Sequence, residues 1–121
     1  MRYILLIISF LMILTSCQTK METQEISSVN EIAQIDFADE NKVLLDVRTP
    51  EEFNAGNIPN SVNIDFNSDE FDAMIQDLDK EKTYYVYCKS GNRSTKASQK
   101  MQEAGFQHVV NLKDGYSAYQ K

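Results

Sequence analysis

Three rhythms of apolar and polar positions run along the chain, and each marks a different kind of element. Residues 3 to 14 are apolar except for Ser9. That length fits the ~7–15 residues of a signal-peptide core and falls short of the ~20 that span a bilayer as a helix. Residues 1–16 therefore read as a signal that takes no part in the fold. Residues 17–24 are mostly polar with no apolar period, the pattern of a flexible tether, and one domain is expected over 25–121.

Within that domain, continuous apolar runs alternate with helical spacings. Lys42 to Val47 (KVLLDV) and Thr83 to Tyr87 (TYYVY) read as strands buried on both faces, and Val109 to Leu112 as another. Val62 to Ile64 follows a turn-rich stretch and predicts a short strand. Ser28 and Glu31 have capping-box spacing before Val29, Ile32 and Ala33, which predicts a short helix. Thr49, Pro50, Glu51 and Glu52 supply an N-cap, a first-turn proline and acids at a second helix start. Phe71, Met74, Ile75 and Leu78 form the expected core face of a helix beginning near Ser68 or Asp69. A further helix from about Ser94 buries Ala97, Met101 and Ala104 and stops at Gly105, and a last short helix packs through Tyr116 and Tyr119.

Strands alternating with helices predict an α/β fold, a mainly parallel sheet with helices on both faces. Ligands of such sheets sit beyond the carboxyl ends of the strands, where Cys88, Asp46 and Arg48 fall.

Charge and cysteine count then narrow the picture. The stretch LTSC, Leu14 to Cys17, resembles the lipobox of bacterial lipoproteins, which implies cleavage before Cys17 and lipidation of its thiol. An ordinary secreted protein cut nearby, or an uncut anchor, are the competing readings. Loss of residues 1–16 removes Arg2 alone among the charged residues, leaving eleven basic against eighteen acidic and a formal charge near −7. Such a surface repels nucleic acid and anionic lipid, so acyl chains would hold the domain to a membrane, facing the periplasm or the cell exterior. With Cys17 lipidated, Cys88 is the sole remaining thiol and no intramolecular disulfide can form.

A cysteine acts as a nucleophile through its thiolate, so its surroundings must stabilise charge on sulfur. Gly91 allows the loop after Cys88 to curl its N–H groups around the sulfur, the following helix points its positive end there, and Lys89 and Arg93 add full charges. Arg93, Lys96 and Lys100 share one helical stripe, either an anion attractor or a solvated face. His108, the single histidine, lies away from this loop in sequence and reads as a surface or structural residue. This disfavours Cys-His protease chemistry, and one thiolate with one imidazole is too few for zinc, so neither metal nor cofactor is expected. Glu51 and Glu52 read as helix-capping residues rather than a catalytic pair.

Three segments carry a family resemblance. LLDVRTPEEFNAGNIPNSVNI (44–64), YCKSGNRS (87–94) and AGFQHVVNLKDGYSAY (104–119) resemble, in order, the Asp-Val-Arg and Gly-x-Ile-Pro signature, the active-site loop and the closing stretch of rhodanese-like domains. The resemblance covers residues 24 to 121. It implies a single-domain sulfurtransferase in which Cys88 takes a sulfane sulfur from thiosulfate or another small anionic donor, holds it as a persulfide, and passes it to a thiol or cyanide. Lys89, Ser90, Gly91, Asn92 and Arg93 match the cradling loop, and Ser94 the helix start. Asp46 and Arg48 match charges beside that loop, read as a structural ion pair supporting it. Asn57, Asp114 and Tyr119 depart from the family's usual histidine, glycine and tryptophan, which bears on packing and turn geometry.

Two other functions compete. Related phosphatases and arsenate reductases use Cys-x5-Arg to cradle a tetrahedral oxyanion. Here only residues 89–92 separate Cys88 from Arg93, a tighter loop that favours a single sulfur. A non-enzymatic persulfide carrier or binding module, fed by a partner persulfide protein, would keep the same loop. Nothing in the sequence demands more than a monomer.

Overall fold

The computed structural model describes residues 26–121, so the proposed signal, lipobox, Cys17 and tether lie outside the described residues. Four strands, β1 (Lys42–Asp46), β2 (Ser61–Asn63), β3 (Thr83–Tyr87) and β4 (His108–Asn111), form one sheet in the order β2-β1-β3-β4, and every pairing is parallel. The chain leaves β1 toward one edge and later returns to β3 on its other side. The order thus reverses between β1 and β3, whose carboxyl ends lead into Arg48 and Cys88.

The strands are buried on both faces because their apolar residues serve two cores with a period of two. Leu45, Val47, Tyr84, Val86 and Cys88 pack on one face with Phe71 and Ile75 of α2 (Phe71–Gln76) and with Ala97 and Met101 of α3 (Asn92–Glu103). Leu44, Tyr85 and Tyr87 pack on the other with Val29, Ile32, Ile58 and Leu112. That second face is covered by single 3-10 turns, Glu31–Gln34 and Tyr116–Ala118, instead of full α-helices. Among the described residues no helix is long and apolar enough to cross a membrane.

Two local expectations fail. Ser28 does not form a capping box with Glu31. The 3-10 turn starts after Asn30 without a side-chain cap, and the Ser28 hydroxyl donates to Asp114 Oδ2 at 2.6 Å. The same hydroxyl accepts from the Asn30 N–H at 3.2 Å, so its local contact is a turn two residues on and not a helix cap. Met74 is 40% exposed, because α2 is short and turns only Phe71 and Ile75 inward, while Leu78 lies beyond its end and is half-buried.

This difference between two methionines is testable. Met101→Ala should cost about 2–5 kcal/mol, since the side chain is fully buried. Met74→Ala should cost less than about 1 kcal/mol. Urea unfolding midpoints of both variants would check the contrast.

Candidate active site

Polar chemistry collects at the carboxyl ends of β1 and β3. After β1, Asp46 and Arg48 close a buried pair: Arg48 Nε and Nη2 donate to the Asp46 carboxylate at 3.0 and 2.7 Å, and Nη2 also donates to the Gly56 carbonyl at 2.7 Å. Asp46 is fully buried and Arg48 is 3% exposed. Burial disfavours the guanidinium charge, but the hydrogen bonds and charge of Asp46 outweigh it and raise the Arg48 pKa. The guanidinium lies 4.1 Å from the Tyr116 ring centroid and 5.7 Å from that of Tyr87. Arg48 is thus committed to structure on every side, holding the segment after β1 against the C-terminal turn.

Asn63 locks the same segment, its Nδ2 donating to the carbonyls of Asp46 at 3.0 Å and Arg48 at 2.9 Å. Thr49 then starts α1 (Pro50–Ala55) with a complete capping box: its hydroxyl accepts from the Glu52 N–H, and its own N–H donates to Glu52 Oε2 at 3.0 Å.

After β3 the chain curls back on Cys88. Gly91 takes a left-handed conformation, φ 96°, and its N–H donates to Cys88 Sγ at 3.1 Å. The thiol lies 3.5 Å from Ser94 Oγ, whose own hydroxyl donates to the Gly91 carbonyl at 3.2 Å. Thr95 supplies a hydroxyl and an N–H to that carbonyl as well, at 2.7 and 3.1 Å. When Cys88 ionises, Ser94 can therefore turn its proton to sulfur and leave the carbonyl satisfied. Burial pushes the Cys88 thiol up, but hydrogen bonds from the Ser94 hydroxyl and from the N–H groups of Ser94, Ser90 and Gly91 more than offset it. The net pKa lies below the ordinary thiol value.

The loop is seated on the C-terminal turn. Tyr116 N–H donates to the Cys88 carbonyl at 2.8 Å and Ser117 N–H to the Lys89 carbonyl at 3.0 Å. A Cβ on Gly91 would collide with the Lys113 carbonyl, and one on Gly115 with that of Lys89, so both positions require glycine for close backbone approach.

The structure therefore brings Cys88, Gly91 and Ser94 together around one sulfur. Lys89, Ser90 and Asn92 are exposed on the same loop. Arg93 projects into an ion pair, its Nη1 and Nη2 meeting the two Glu52 carboxylate oxygens at 2.7 and 2.8 Å. Lys100 pairs with Asp72 at 3.0 Å, so two of the three cations on the α3 stripe are matched by carboxylates. That settles most of the stripe as a paired face. His108 pairs with Thr83 at the far end of β3, about 16 Å down the strands from Cys88, too far to act as its base. Among the described residues no cluster of three or more His, Cys, Asp or Glu is placed to hold a metal ion.

Sequence reasoning missed two functional contacts. Glu52 reads locally as a capping residue, and nothing in the sequence signals its partner 41 residues away. Asp114 accepts from the Ser28 hydroxyl and from the Val29 N–H at 2.9 Å, tying the start of the described chain to the turn that seats the loop. The other departures from the family pattern have local roles: Asn57 donates to the Phe53 carbonyl behind α1, and Tyr119 stacks on Tyr116 with centroids 6.0 Å apart.

Two measurements follow from these shifts. Ser94→Ala removes the only side chain among the described residues that hydrogen-bonds the sulfur, so the Cys88 ionisation midpoint, read by thiolate ultraviolet absorbance, should move upward. The Arg93 guanidinium, with help from Thr49 and against burial, pulls the Glu52 carboxyl from 4.5 down to about 2. Charged Glu52 thus stabilises the fold above about pH 4.5, and this contribution fades as pH falls toward 2. Glu52→Gln should flatten that part of a plot of Tm against pH.

Comparison with known proteins agrees with this geometry. The family model described as the rhodanese-like domain matches residues 28–121. YtwF of Bacillus subtilis, described as a sulfurtransferase, is 37% identical over 100 residues, covering 83% of this chain and 93% of its own. The human single-domain sulfurtransferase TSTD1 superimposes with a TM-score of 0.59 at 25% identity, over 76% of this chain and 91% of that one. A tRNA uridine(34) hydroxylase of Pelagibacter ubique is 38% identical over 84 residues, 69% of this chain, but the match spans only 28% of that protein. With the family model matching nearly the whole described chain, and a thiol loop at the end of a central parallel strand, the protein belongs to the rhodanese-like family.

Proposed function

We propose that the chain transfers a sulfane sulfur through a persulfide on Cys88, from thiosulfate or another small donor to a thiol or cyanide acceptor. The observation that carries this reading is the Cys88 cradle, where a backbone N–H and a hydroxyl face one sulfur and, among the described residues, no carboxylate or imidazole hydrogen-bonds it. A thiolate attack on a sulfane sulfur needs no proton removed from the substrate. It needs a stabilised anion before the transfer and another after it.

The Cys88 thiolate attacks the outer sulfur of thiosulfate; a new S–S bond forms, the donor S–S bond breaks, and sulfite leaves with the electron pair. The outer sulfur of the persulfide again carries negative charge, to which N–H groups of the loop would donate without rearrangement. Cyanide or a thiolate then attacks that outer sulfur, giving thiocyanate or a new persulfide and restoring the Cys88 thiolate. Cys88 is 1% exposed, so a slim donor suits this site better than a bulky one.

The loop residues Lys89, Ser90, Gly91, Asn92, Arg93 and Ser94 are proposed to bind donor and persulfide, with Asp46 and Arg48 supporting them from behind. Lipidation at Cys17 and a tether over 17–24 would place the domain on the outer side of a bacterial membrane.

Purified residues 18–121 should produce thiocyanate from thiosulfate and cyanide, and intact mass after thiosulfate alone should show one added sulfur. Cys88→Ser should abolish both. Turnover retained in Cys88→Ser would overturn the assignment.

A further inference from the structure

The chain places an arginine beside the thiol loop and pairs it with a carboxylate. Arg93 lies in the first turn of α3, five residues after Cys88, and a charged Cys88 is among the causes that raise its pKa, after the larger effects of Glu52 and burial. Both terminal nitrogens of Arg93 are nonetheless occupied by the two oxygens of Glu52, in a side-by-side pair whose side chains are 22% and 30% exposed. Glu52 is fixed in turn by the Thr49 capping box, so α1 delivers a full negative charge to the loop's arginine. A cleft of about 230 Å³ beside the loop is lined by Lys89 of the loop, Glu52 of α1, Arg48 and Tyr116. The Arg48 charge there is already matched by Asp46. Lys89 is left as the lining cation with no carboxylate within salt-bridge distance among the described residues.

A dianion such as thiosulfate gains most from an unpaired guanidinium and loses most from a carboxylate beside it. Helix capping alone does not require Glu52 to meet Arg93, because the capping contacts use only Oε2, while Oε1 is hydrogen-bonded to Arg93. We infer that Glu52 is a specificity-determining residue that sets the charge of the sulfur donor, by pairing with Arg93 and biasing the Cys88 loop toward sulfane compounds of lower negative charge than thiosulfate. Thiosulfonates and persulfides, monoanionic or neutral, are that class. The inference rests on the sulfur-transfer reading. The chemical step is unchanged: Cys88 thiolate attacks the outer sulfur, the donor S–S bond breaks, and sulfite leaves from thiosulfate or methanesulfinate from methanethiosulfonate, each with the electron pair.

The test compares kcat/KM for thiosulfate with that for methanethiosulfonate, at low salt and a fixed cyanide concentration, in a ladder of local charge. Arg93→Gln lowers that charge by one, Glu52→Gln raises it by one while keeping an oxygen for the Thr49 N–H, and the double variant restores the parent's sum. The thiosulfate-to-methanethiosulfonate ratio should rise about fivefold in Glu52→Gln, fall about fivefold in Arg93→Gln, and return to within about twofold of the parent in the double. Added salt should compress the whole ladder. A purely structural pair would lower activity with both donors alike and leave the double as impaired as the worse single. Unchanged ratios in the singles, or a double that does not return, would overturn the inference while leaving sulfur transfer intact. If intact mass shows no sulfur on Cys88 from either donor in any of the four proteins, the transfer reading falls and the inference falls with it.

Discussion

The site depends on one backbone contact: the loop after β3 lies directly on the turn after β4, with no side chain between them. Gly91 and Gly115 face the carbonyls of Lys113 and Lys89 at distances that a Cβ would not permit. Hydrogen bonds from Tyr116 and Ser117 N–H to the carbonyls of Cys88 and Lys89 lock the two segments together. With those carbonyls occupied, the free N–H of Gly91 turns inward to the sulfur. The curvature that stabilises the thiolate is thus imposed by the chain on which the loop sits.

The same turn connects the site to distant parts of the molecule. Asp114 binds Ser28 and Val29, so the segment that follows the undescribed N-terminal residues is fastened one residue from Gly115. On the other side, Arg48 stacks on Tyr116 and binds Asp46, which joins the turn to the end of β1. Removing one partner of a buried ion pair typically costs about 3–5 kcal/mol, so Asp46 and Arg48 tie this frame to the stability of the whole fold. On the proposed sulfur-transfer reading, a fixed frame keeps the donors around the sulfur in the same places before and after transfer.

Electrostatics at the site work by short-range dipoles more than by net charge. The chain has a formal charge of −6, and Arg93, Lys100 and Arg48 are each matched by a carboxylate. Stabilisation of the Cys88 anion falls to the Ser94 hydroxyl and to backbone N–H groups, which are neutral and cannot be screened away as surface charges are. Such a site favours the thiolate form of Cys88 through local dipoles.

The sequence by itself determined the α/β class, the central strands, the capped start at Thr49 and the place of the Cys88 thiol just beyond a central strand, because each of these follows from local periodicity, capping chemistry or position at a strand end. Lys42 to Val47 and Thr83 to Tyr87 are apolar on both sides because both faces of the sheet are covered, and that pattern is visible in a single line of residues. Only the tertiary structure decided which polar groups meet. Glu52 and Arg93 are separated by 41 residues, and Ser28 and Asp114 by 86. Local spacing read Ser28 as a helix cap and left Arg93 between an anion attractor and a solvated face, whereas folding brought each to a carboxylate in a short, charge-assisted hydrogen bond. Met74 has the spacing of a core residue, but where a short helix ends depends on the surface it packs against, which no local pattern records.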